Sequence, residues 1–199
     1  DYAGLRDVAE ARKEAAAIAA SPACQQELRE RAERDRRDKD LLARAPGILL
    51  GRSSPGDDPV TPAQIAAALK VTELKKRAAS SDPEESLSAT RILNTYRGQT
   101  QFYQPLSFIE KKEYDRAVFM LTLGAEIDPD DPGIWVSIAS VQARKGKPGH
   151  KKALEALHTA VDKGLSDPAL LDRKTFDDLR QDEEFQRILA QVAGRHAAR

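Results

Sequence analysis

The residues most able to do chemistry are three histidines, one cysteine and two short stretches rich in glycine or acid. His150, His158 and His196 are the candidate bases and metal ligands, but none belongs to a set of Cys, His or acidic residues at metal-ligand spacing. They read as surface or half-buried structural residues. Cys24 falls in the first turn of a helix, a position that can lower a thiol pKa, yet it has no histidine beside it in sequence and reads as a small helix residue. "GKPGHKK", from Gly146, lacks both the spacing of a phosphate loop and a preceding strand. No serine sits in a nucleophile elbow. "DPDDPG", from Asp128 to Gly133, offers carboxylates to calcium but lacks a twelve-residue loop closed by Glu, so helix capping explains it better. The sequence therefore nominates no catalytic residue, no cofactor and no metal ligand, and the expectation is a protein that is not an enzyme.

Composition points to helices instead. Lys+Arg and Asp+Glu balance at 32 each in 199 residues, which argues against a general nucleic-acid binder. The apolar content is mainly Ala and Leu, and no Val/Ile/Thr-rich alternating run is present, so an all-α fold is expected. A lone cysteine excludes an intrachain disulfide. No run approaches the roughly 20 apolar residues of a membrane span, so no transmembrane segment is expected. The chain starts at Asp1 rather than Met, from which we expect a processed, exported protein (periplasmic or extracellular), with the cytoplasm as the alternative.

Three regions are expected. Residues 1–52 read as an N-terminal helical arm, with a thin stripe of Leu5, Val8, Ala11, Ala15 and Ile18, then a second helix opened by Ser21 and Pro22. Twelve of the fourteen residues from Glu27 to Asp40 are charged, six of each sign, with pairs such as Glu27–Arg31 and Glu30–Arg34 four apart. That is a solvated, self-paired helix rather than a nucleic-acid arm. Residues 53–60 read as a linker. Residues 61–199 form the main helical module. Thr61-Pro62 opens one helix running to about Ser80. Asp82 opens the next, with Glu85 expected to reach back in a capping box. Pro105 should kink or divide that helix.

A repeat emerges in the second half. Ala117 is followed by Leu121 and Gly124, and Ala153 by Leu157 and Ala160, at a spacing of 36. Against the 34 of a tetratricopeptide repeat (TPR), the two extra residues are expected in the turn before Ala153. Tyr114, Ala117, Leu121, Gly124 and Pro129 resemble the second helix of that family's repeat and its closing proline. Trp135, Ile138, Ala139 and Gly146 resemble the next first helix, while Gln142 replaces its usual aromatic. The tail, with Phe176, Leu179, Arg180, Asp182, Phe185 and Ile188, resembles the closing segment of many bacterial TPR proteins, giving a cap over residues 175–193.

The resemblance implies antiparallel helical hairpins and a concave surface that binds protein. Its lining positions fall on Gln99, Phe102, Tyr103, Leu106 and Ile109, then on Val136, Ser137, Ser140, Ala143 and Arg144. The family's carboxylate-clamping Lys, Asn and Arg set is missing. The bland alternative, favoured for Phe102, Tyr103 and Leu106, is that they pack against the helices of residues 61–80. The expected function is a protein–protein interaction scaffold. The alternatives are a self-assembling structural subunit (a homo-oligomer or extracellular filament) whose arm docks on a neighbour, and an accessory subunit of a larger enzyme complex.

Overall fold

The computed structural model describes residues 8–49 and 60–197, and all regular structure among them is helical. The chain divides into two compact units, Asp1–Pro46 and Gly47–Arg199. Residues 50–59, which hold nearly all of the expected linker, lie outside the described residues, as do Leu5 of the arm's stripe and the others of residues 1–7.

The first unit carries α1 (Val8–Ala20) and most of α2 (Pro22–Leu49). Ser21 makes the corner between them. Its hydroxyl donates to the Ile18 carbonyl at 2.7 Å and accepts the Cys24 amide at 3.3 Å, so the α2 N-terminus starts on a capping serine followed by proline. Ala11, Ala15 and Ile18 of the expected thin stripe are exposed. Methyl side chains give such a stripe little area to bury. α2 also runs further than the charged run, through Pro46 and Gly47 to Leu49.

The second unit opens with α3 (Pro62–Ala68), held by a capping box in which Thr61 and Gln64 exchange hydrogen bonds at 2.8 and 3.3 Å. One helix from Pro62 to Ser80 was the expectation, and the structure has two. Lys70 adopts a left-handed conformation and α4 (Val71–Ala78) starts anew. The reason lies in the apolar pattern. Ile65 and Leu69 share a face, but Val71 would point the other way on a straight helix; the break lets Ile65, Leu69, Val71 and Leu74 all be buried.

α5 (Pro83–Arg97) begins at Asp82, whose carboxylate accepts the Glu84 and Glu85 amides. The reciprocal half of the expected box is absent. The Asp82 amide donates to the Ser80 hydroxyl, and the Glu85 carboxylate accepts Arg77 Nε at 2.8 Å, tying α4 to α5. The helix is divided just before Pro105, as expected, but by a change of winding rather than a loop. A π turn, Gly98–Tyr103, joins α5 to α6 (Gln104–Glu110), and Gln104 donates its amide to Gln99, five residues back. The wider winding just before the proline accommodates its missing N–H.

Four further helices complete the unit: α7 (Tyr114–Ile127), α8 (Pro132–Ala143), α9 (Lys147–Asp162) and α10 (Glu183–Ala197), with two short 3-10 turns, Pro168–Leu171 and Lys174–Leu179, before the last. Sequence neighbours pack together: α4 on α5, α6 on α7, α7 on α8, α8 on α9 and α9 on α10, while α3 reaches α7. Ala117, Ala139, Ala153 and Ala160 are fully buried, as are Leu121, Gly124 and Leu157, whereas Tyr114 and Trp135 are half-buried and Pro129 is exposed. Small side chains here let helix backbones come close.

The two residues that lengthen the 36-residue spacing are not in the turn. Turns of the same length precede both helices, Lys111–Glu113 before α7 and Arg144–Gly146 before α9. The extra length is helical: α9 starts earlier relative to Ala153 than α7 does relative to Ala117, because Pro148 opens its first turn and Gly149 lets that turn lie against α8.

At the carboxyl end, Phe176 and Phe185 are fully buried with ring centroids 5.8 Å apart. Asp182 caps α10 by accepting the Glu184 and Phe185 amides, and Arg180 is held by Asp177 and Asp172. Leu171, Leu179, Ile188 and Val192 complete this apolar lid, and Arg195 donates to the Val161 carbonyl of α9.

Candidate functional site

Among the described residues of the second unit, the two most exposed large apolar side chains lie in the π turn. Gly98 and Pro105 bracket a stretch that winds more widely than an α-helix, and the two successive aromatics in it, Phe102 and Tyr103, both face outward. They are 66% and 64% exposed and meet edge to face at 5.8 Å, and Leu106, one turn on, is 49% exposed.

The inner side of the same turn is fixed to α7. Thr100 is buried and donates to the Tyr96 carbonyl at 2.9 Å. Gln101 lies over Gly124, where a β-carbon would come within 2.8 Å of Gln101 Cγ. Its amide then reaches Asp128 at 3.1 Å. Arg97 grips both oxygens of the same carboxylate, at 2.5 and 2.6 Å. Burial alone would raise the Asp128 pKa. The bonds from Arg97 and Gln101 outweigh it and hold the carboxyl below its ordinary range, while the same bond raises Arg97. Asp128, the first acid of the break after α7, thus anchors the π turn.

α8 supplies the facing wall. Asp131 accepts the Gly133 amide at 2.8 Å and Pro132 occupies the first turn, so the break that ends α7 also starts α8. Ser137, Ser140, Val141 and Arg144 are spaced to fall on one face of α8. Together with Gln101, Phe102, Pro105, Leu106, Ile109 and Leu121 they enclose a groove of about 350 Å³. Arg173 also contributes to the lining. It precedes the second 3-10 turn, which docks on α8 through a 2.9 Å hydrogen bond between the Thr175 and Ser140 hydroxyls.

Of the residues assigned to a binding surface from sequence, Phe102, Leu106, Ser140 and Arg144 line this groove, as do Ile109 and Ser137. Tyr103 is exposed beside it and Gln99 is half-buried outside the lining. Val136 and Ala143 are core residues. Ser140 is itself mostly buried and already bonded to Thr175. The expectation that Phe102, Tyr103 and Leu106 pack beneath residues 61–80 is overturned by their exposure. α3 packs on α7 instead, because Ile65 and Leu69 bury there. Arg173 had no sequence signal, since its place depends on a docking contact 35 residues apart in sequence.

The remaining polar candidates are dispersed. His158 Nε2 lies 2.6 Å from Glu184 on α10, a partner far away in sequence, and His196 Nδ1 is 3.1 Å from the Ser166 carbonyl. The acids of the break diverge to separate partners: Asp128 to Arg97, Asp130 to Lys163 and Asp131 to a backbone amide. Among the described residues no group of three or more His, Cys, Asp or Glu converges as a metal site, and no helix is long and apolar enough to cross a membrane. No family model matches the chain, and no curated protein or solved structure matches it.

Proposed function

We propose that the chain is a non-enzymatic scaffold of tetratricopeptide-repeat type that holds a segment of another protein in the groove between the π turn and α8. The carrying observation is the exposure of the apolar side chains Phe102 and Leu106 in the lining of a groove, with Tyr103 exposed next to them in the chain. Aromatic and aliphatic anchors beside a depression are the usual source of binding energy between proteins. The lining offers hydroxyls and guanidiniums but neither an imidazole nor a carboxylate to act as a base. The repeat reading is supported by the buried alanines at 36-residue spacing and by the lid of Phe176 and Phe185 over the last helices.

Selection of a displayed random-peptide library on the immobilised chain tests this. Enrichment that disappears when Leu106→Glu replaces the wild type supports the groove. No enrichment, or enrichment indifferent to Leu106→Glu, contradicts it.

A second reading, self-assembly through the arm, is favoured by the exposure of Ile18 and Leu28 on α1 and α2. Sedimentation over a range of concentrations separates the two: a strict monomer removes the second reading.

A further inference from the structure

We propose that the segment taken by the groove is acidic as well as apolar: a hydrophobic side chain flanked by aspartate or glutamate. This rests on the groove reading above and specifies its ligand. Two guanidiniums, Arg144 and Arg173, line the groove, and no carboxylate does. Both arginines are exposed, and no acidic partner stands against either among the described residues. Asp172, next to Arg173, pairs with Arg180 at 2.7 Å, and Asp115 pairs with Lys145, the neighbour of Arg144, at 2.5 Å.

The two arginines are placed by the fold. Arg144 follows the last turn of α8, one heptad beyond Ser137. Arg173 is set by the Ser140–Thr175 hydrogen bond, and its carbonyl accepts the Phe176 amide at 2.9 Å, from a residue locked in the lid. Two cations on different segments thus share the lining with Phe102, Leu106 and Ile109. A guanidinium prefers a carboxylate to any neutral acceptor, and beside an apolar surface that preference is screened less than in open water. The complement of such a groove is an apolar anchor with acids close by in sequence.

The test has two readouts. First, the pool enriched from the displayed library is sequenced. It should be rich in Leu, Ile or Phe next to Asp or Glu. Second, one enriched peptide, labelled with fluorescein, is titrated against the full chain alongside its Asp→Asn, Glu→Gln counterpart. The acidic peptide should bind at least roughly tenfold more tightly in low salt, and added salt should narrow the gap. The double substitution Arg144→Gln, Arg173→Gln should abolish the gap between the two peptides, with an unaltered thermal melt. An enriched pool without acids, or a gap that survives the double substitution, overturns the acidic preference and leaves the groove reading in place. An empty selection overturns both. A dimer in sedimentation that Leu106→Glu dissolves assigns the groove to a second copy of the chain and overturns the proposal.

Discussion

A β-carbon built on Gly149 would lie 1.9 Å from the backbone carbonyl oxygen of Gln142, so α9 meets α8 in a contact that admits only glycine. The neighbour is main chain and cannot swing aside. Gln142 is buried, and so is its side-chain Oε1, which has no hydrogen-bond partner among the described residues.

Gly149→Ala must therefore push two helices apart. We expect a loss of about 3 kcal/mol, read from urea unfolding. Gly194→Ala is the matched control. Nothing lies within 4 Å of its would-be β-carbon on α10, so it should gain about 0.5–1 kcal/mol. Equal effects of the two substitutions would refute the close approach.

Ala117→Trp should overfill the contacts of a fully buried methyl group on α7 and cost about 1–3 kcal/mol in a thermal or urea melt. An unchanged melt would mean that α7 does not pack through this face.

The Arg97–Asp128 pair predicts an acid limb. Asp128 has its pKa lowered in the folded chain, so the unfolded chain takes up its proton first as pH falls. The pair's contribution is complete above the ordinary aspartate pKa of about 3.9 and is lost as pH drops through the depressed folded value. Because both side chains are partly exposed, the contribution is discounted to about 1 kcal/mol. Asp128→Asn should be less stable than wild type at neutral pH, with the difference shrinking below that window. A constant difference down to the acid end would contradict the pairing.

A fragment starting at Val60 should stay helical by circular dichroism and unfold cooperatively, since α3 to α10 bury their apolar faces within the second unit. A coil spectrum would contradict this.

Features set by local chemistry were readable from the chain. Ser21-Pro22, Thr61-Pro62 and Asp131-Pro132 open helices as such pairs should, and the Ala/Leu-rich composition foretold a helical chain. What escaped depends on distant contacts or subtle winding. Lys70 breaks a helix so that Val71 can join a core assembled from elsewhere. The π turn resolves Pro105 in a way that no 3.6-residue pattern reveals, and its wider winding exposes Phe102 and Tyr103 together. Six of the ten residues assigned to a binding surface from sequence do line the groove. Val136 does not, because α8 is apolar on nearly every side and its faces cannot be told apart by pattern. Arg173 reaches the groove only through Thr175 and Ser140.

The most direct test of the groove is an amide NMR titration of the isotope-labelled chain with a library-selected peptide. The account predicts saturable shifts at Phe102, Leu106, Ser137, Arg144 and Arg173, with α10 residues such as Gln186 unmoved. Shifts confined to α1 and α2, around Ile18 and Leu28, would contradict it.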